Sequence, residues 1–163
     1  NMLDTGAHFY DTFACADGKF ISIGSIEPQF YALLRETLGL TDDADFDAQL
    51  NPASWPALKD KLTAIFAAKP RAHWCDLMEG SDICFAPVLS LEEAPQHPHN
   101  RARGTFIEVA GATQPAPAPR YSRTVTDTPR PAPTVGADSD GLLAQLGYDG
   151  AKIADLREAG TIG

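Results

Sequence analysis

Two periodicities divide the chain. Residues 9–15 are aromatic and poor in helix formers, Asp17-Gly18 is a hairpin turn signal with φ > 0 needed at both positions, and residues 20–24 return with Ile21 and Ile23 on one face. Helical spacing follows. Ser25-Ile26-Glu27-Pro28 reads as a helix start, with a capping-type Ser, an acid at the positive end and a Pro in the first turn. Phe30, Leu33, Leu34 and Leu38 recur at helical spacing, and Gly39 ends the run. Residues 42–50 predict a short acidic helix. Trp55, Leu58, Leu62, Ile65 and Phe66 form one stripe, and Pro70 separates it from a helix whose apolar face is Trp74, Leu77 and Met78.

Beyond Gly80 the pattern changes again. Residues 83–89 are a continuous apolar run in which Pro87 predicts an edge strand. Ser90-Leu91-Glu92-Glu93 matches a capping box and predicts a short helix, disturbed between Pro95 and Pro98. Residues 104–109 read as a last strand. Residues 115–133 hold six of the 13 prolines, so they predict an extended connector, either a linker or an ordered strap. Two short helices, 138–146 with Leu142, Leu143 and Leu146, and 149–159 with Ile153 and Leu156, close the chain. Neither is long enough to be stable alone, so both need a surface to dock on. The expected class is α+β, with a connector at 1–8, a small α+β domain at 9–108, and a strap with short helices at 109–163.

Charge narrows the function classes. The 163 residues carry 22 acids and 13 bases, for a net charge of −9. That balance disfavours nucleic acid and anionic membrane as partners. No apolar run approaches the roughly 20 residues of a membrane-spanning helix. Cys15, Cys75 and Cys84 have no metal-type spacing and read as free thiols of a reducing cytoplasm. His97-Pro98-His99 lacks the companion ligands of a metal site, so no metal is expected, and no cofactor either, since no phosphate-binding glycine motif is present. The opening Asn1-Met2-Leu3-Asp4 has neither a basic start nor an apolar stretch, and a start without Met leads us to expect a piece of a longer protein.

No self-sufficient catalytic set is visible. Glu27 stands apart from the other acids, in the apolar context between a strand end and a helix start. There a carboxylate can face a cleft and orient a histidine supplied from elsewhere, or simply stabilise the helix end. Tyr10 and Asp11 have the same two readings, as polar groups of a site or as ordinary edge-strand residues.

A resemblance adds to this. Asn1-Met2-Leu3-Asp4-Thr5-Gly6-Ala7-His8-Phe9-Tyr10, then Ala16-Asp17-Gly18-Lys19 and Ile23-Gly24-Ser25-Ile26-Glu27-Pro28-Gln29-Phe30-Tyr31, resemble segments of the α-methylacyl-CoA racemases, in the family III CoA-transferase superfamily. Trp74-Cys75, Asp82-Ile83-Cys84, Pro87-Val88-Leu89, Glu92-Glu93, His97, His99-Asn100 and Arg103-Gly104 continue in register, as do the Pro-rich strap and the ending Leu143, Leu146-Gly147-Tyr148. Thr5 and His8 depart from it, standing where Gly and Pro are usual, and are expected to alter the backbone leading to Tyr10.

The resemblance implies racemisation of 2-methylacyl-CoA thioesters through an enolate. It implies a missing N-terminal large domain that holds CoA and supplies the catalytic His and Asp, and an interlocked homodimer in which this small domain covers the partner's active site. Glu27 then corresponds to the carboxylate that hydrogen-bonds the catalytic His, with Tyr10 and Asp11 at the same cleft. A CoA transferase of the same superfamily and a non-catalytic partner-binding module are the alternatives. The chain alone is expected to be inactive.

Overall fold

The computed structural model describes residues 1–163, which form two compact units, Asn1–Ala94 and Pro95–Gly163. In the first unit a wide turn over Met2–Gly6 leads into strand β1 (Tyr10–Ala14), followed by β2 (Phe20–Gly24). The predicted two-residue turn is replaced by a three-residue one. Cys15 N donates to Lys19 O and Gly18 N to Cys15 O, and only Gly18 has positive φ (+73°), as a bulged hairpin loop requires.

Three helices follow: α1 (Pro28–Thr37), α2 (Trp55–Phe66) and α3 (Arg71–Met78). The acidic stretch between α1 and α2 shrinks to one 3₁₀ turn, Ala44–Phe46, capped by Asp43. That turn buries Phe46, and its carboxylates bond to Lys61 rather than extending a helix. Strand β3 (Phe85–Val88) then completes an antiparallel sheet of order β1-β2-β3, so Pro87 lies on an edge as predicted.

The sheet has two unlike faces. Phe13, Ile21 and Ile23 point into a core with Leu34, Leu58, Leu62, Phe66, Trp74, Met78 and Ile83, all buried. Phe66 packs tilted against Phe13 and edge-on against Trp74, with ring centroids 5.0 and 5.1 Å apart, and Trp74 Nε1 donates to Phe66 O. Aromatic residues of this size contribute most of the burial energy available to so small a core. Leu77, expected on the same helical face, is 46% exposed. On the opposite face the pairs Tyr10–Gly24, Thr12–Ser22 and Ser22–Ala86 leave a floor of mostly small side chains, with Phe20 and Val88 paired and exposed at one end.

The box at Ser90 forms its two reciprocal bonds, Ser90 N to Glu93 Oε2 and Glu93 N to Ser90 Oγ, and the short helix predicted after it shrinks to a turn and one 3₁₀ helix, Ala94–Gln96. Glu93 is committed to other partners: it accepts from both guanidinium nitrogens of Arg71 and from Lys19, which hold its carboxyl well below the usual carboxylate range.

The second unit holds α4 (Pro98–Ala102), a hairpin of β4 (Phe106–Val109) and β5 (Ala112–Pro115), an extended stretch, and α5 (Ser139–Gln145) and α6 (Gly150–Glu158). The strand predicted at 104–109 therefore pairs with a partner that its sequence did not announce. Leu142 and Leu146 of the last helical pair stay exposed, while Ile153 is buried and Asp140 pairs with Arg157. No helix in the chain is long and apolar enough to cross a membrane.

Thr5 is strained. Its φ of +53° and ψ of +15° lie in the left-handed region, where the Cβ of any L-residue crowds the following carbonyl. Replacing Thr5 by Gly should stabilise the chain by about 0.5–1 kcal/mol, the relief of strain less the extra freedom of glycine in the unfolded chain. Urea unfolding of Thr5→Gly beside Thr5→Ala is the check, since Ala keeps the strain and should show no gain.

Candidate functional site

The β1–β2 register sets Tyr10 opposite Gly24, and the Tyr10 ring lies over that glycine: a Cβ placed there would sit 3.6 Å from the ring. The chain leaving β2 is then pinned from two sides. Gly24 N donates to Cys84 O, Ser25 N to Phe9 O, and the buried Ser25 hydroxyl to Ile83 O at 2.6 Å. Ser25 is therefore not the helix cap that the sequence predicted. It is a tie between β2 and the approach to β3, and the cap position falls to Glu27.

Glu27 has extended backbone angles and an exposed side chain that makes no capping bond, so its carboxylate is not consumed by its own helix. The backbone before it is braced by Gln49, whose Nε2 donates to both Ser25 O and Ile26 O, while Trp55 Nε1 donates to Gln49 O. Nothing in the acidic stretch around Gln49 signals this role, because it depends on a contact between segments remote in sequence.

Between these elements runs a shallow cleft of about 300 Å³, lined among others by Thr5, Tyr10, Asp11, Ser22, Gly24 and Cys84. Tyr10 and Asp11 thus share one cavity. Glu27 lies outside its lining but near it. Desolvation of the Cys84 thiol raises its pKa, and the negative charges of Glu27 and Asp82 raise it further. Cys84 itself sits at φ +61°, a position that sequence reading passed over as an ordinary thiol. Asp11 is paired with Lys59 at 2.7 Å, and Lys59 also donates to the Thr5 carbonyl.

The imidazole nearest to the cleft in sequence is sealed away. His8 is fully buried, with Nε2 2.8 Å from the Tyr31 hydroxyl. Tyr31 donates its own proton to Phe46 O, so Nε2 of His8 must be the donor in that pair and Nδ1 is left with a bare lone pair and no partner. Burial first, and the Lys59 charge second, lower the His8 pKa to about 4. The same burial pushes the Tyr31 phenol up to about 12. His97 and His99 lie at α4 in the second unit, and no group of three or more His, Cys, Asp or Glu side chains converges to hold a metal.

The cleft therefore offers a phenol, one carboxylate and a thiol, with the Glu27 carboxylate outside its lining. It can donate a hydrogen bond, accept one and support a cationic group, but its lining includes no imidazole to exchange a proton near neutral pH.

A family model described as CoA-transferase family III matches residues 1–139. The chain is 42% identical to an alpha-methylacyl-CoA racemase of Mus musculus over 158 residues, covering 96% of this chain and 41% of that protein. It is 29% identical to a succinyl-CoA:glutarate CoA-transferase of Mus musculus over 163 residues, covering 94% of this chain and 37% of that protein. The chain spans about two fifths of the length of these relatives. Its fold matches the crystal structure of Rv3272 from M. tuberculosis with a TM-score of 0.65 at 19% identity, over 85% of this chain and 41% of that one. On the family match across most of its length, the chain belongs to CoA-transferase family III.

Proposed function

We propose that this chain is the C-terminal part of an α-methylacyl-CoA racemase that covers the reacting centre. The observation that carries the reading is the 42% identity to a racemase across nearly the whole chain, which includes the Glu27 segment. In this reading a large N-terminal domain holds the acyl-CoA and supplies the His and Asp that remove and return the α-proton. Two such chains interlock, and the small domain (residues 9–108) of one lies over the large domain of the other. Residues 1–8 connect the two domains, and residues 109–163 return to the large one. The free thiols of Cys15, Cys75 and Cys84 suit a reducing compartment, and we place the protein in the cytoplasm.

The chemistry explains the division of labour. A thioester α-proton is weakly acidic, so its removal on one face and return on the other needs two acid/base groups and stabilisation of an enolate. Glu27 accepts a hydrogen bond from the catalytic imidazole, fixes its tautomer and steadies its cationic form. Tyr10 presents a phenol at the same cleft.

The complete protein is expected to exchange the α-proton of a 2-methylacyl-CoA in D₂O and to convert either epimer to a mixture of both, while the chain of 163 residues alone exchanges no faster than buffer. Transfer of CoA to a free carboxylate, with retained configuration and no exchange, would assign the protein to the transferases instead, a reading that the similarity to the glutarate enzyme keeps in play.

A further inference from the structure

We propose that Lys59 is a positioning residue that keeps the cleft receptive to an anionic ligand by neutralising Asp11. The inference rests on the acyl-CoA reading above. Lys59 reaches from α2 to two parts of the cleft rim, pairing with Asp11 Oδ2 at 2.7 Å and donating to the Thr5 carbonyl. The two charged side chains are only 27% and 14% exposed, so solvent and salt screen them less than a surface pair. Asp11 and Thr5 both line the cleft.

The surroundings are already acidic: Glu27 and Asp82 set a negative potential at Cys84, which lines the same cavity. A bare Asp11 carboxylate would add a charge of the same sign to that lining. An acyl-CoA brings phosphates, and its enolate gathers further negative charge, so an uncompensated acid there opposes both. Asp11 is then tolerated at this position because Lys59 cancels it, and Lys59 acts on the ligand only through Asp11.

Lys59→Gln tests this, because Gln keeps a hydrogen-bond donor toward Thr5 and removes the charge. In the complete protein, KM for a 2-methylacyl-CoA should rise about fivefold at low salt, the effect of one poorly screened charge a few ångströms from the ligand. The rise should shrink as salt is added, and kcat should change less than KM. Lys59→Arg should retain a near-normal KM. Adding Asp11→Asn to Lys59→Gln should restore KM, whereas a purely structural role for Lys59 predicts that the double variant is no better than the single one. Should Lys59→Gln fail to fold, the comparison moves to the Asp11→Asn background, where Lys59→Gln is expected to alter KM by less than about twofold. An unchanged KM in Lys59→Gln, or no rescue by Asp11→Asn, overturns the inference while leaving the racemase reading intact. A complete wild-type protein that exchanges no α-proton overturns both.

Discussion

Between pH 6.5 and pH 4 the chain is expected to lose about 3 kcal/mol of stability through His8 alone. His8 is packed edge-on against Phe9, Tyr31 and Phe46, with ring centroids 5.1, 5.5 and 5.8 Å away, and has no acidic partner that would welcome a proton. Its folded pKa is about 4, against 6.5 when unfolded. Above pH 6.5 both states hold it neutral, and stability is at its full value. As the pH falls below that, the unfolded chain takes up a proton that the folded chain refuses, so stability drops until the folded pKa is reached. Urea unfolding at intervals across this range is the measurement. His8→Leu should flatten most of the slope. It should cost little at pH 7, since Tyr31 keeps its bond to Phe46 O and the unpartnered Nδ1 disappears. A slope as steep in His8→Leu as in the wild type would assign the acid sensitivity to carboxylates instead.

The second large effect concerns Glu27. In the complete protein, Glu27→Gln should leave the fold and substrate binding intact and lower α-proton exchange by up to about 100-fold, the lower end of what a general acid–base contribution is worth. Gln preserves size and hydrogen-bonding reach but removes the charge that steadies a protonated imidazole. A carboxylate that merely sits at the positive end of α1 predicts the reverse: a stability loss of about 0.3–1 kcal/mol with normal turnover. Because the Glu27 side chain makes no capping bond, the two outcomes separate cleanly when melting temperature and exchange rate are measured on the same variant.

The difference between what was legible in the sequence and what was not follows the range of the interactions. Residues 20–24 were read to the residue, because Ile21 and Ile23 recur at strand spacing and both become buried, while Phe20, Ser22 and Gly24 face the other way. The stripe from Trp55 to Phe66 was equally plain, as a helix exposes its period over several turns. The β4–β5 hairpin was missed because its two-residue turn is Ala110-Gly111, with φ of +51° and +81°. Alanine seldom occupies that conformation, so only half of the turn signal was written in the sequence. At the candidate site the local features, a strand residue at Tyr10 and a strand-to-helix junction at Glu27, could be read from neighbours in sequence. The groups that hold them could not. Lys59 meets Asp11, Gln49 meets Ser25, and Arg71 meets Glu93 only after the helices pack, and no short-range pattern encodes such meetings. Ser25 shows the opposite error: a good cap by type, it was drawn into the core by a carbonyl far along the chain.

The three-stranded sheet has two outer edges, β1 and β3, and each is blunted at one position. On β1 the amide of Thr12 points away from β2 and is occupied by the Asp11 carboxylate at 2.7 Å; on β3 the carbonyl of Val88, which accepts from the Arg71 guanidinium, faces β2, and the outer edge falls to its neighbour. Beside Val88 stands Pro87, which has no amide hydrogen to offer. A strand from another molecule would have to displace the Asp11 carboxylate to reach the Thr12 amide of β1, and on β3 would meet the proline that lacks a donor. The small sheet is thereby kept from templating growth into filaments, a hazard that any short sheet with exposed edges faces while its chain is concentrated or partly unfolded.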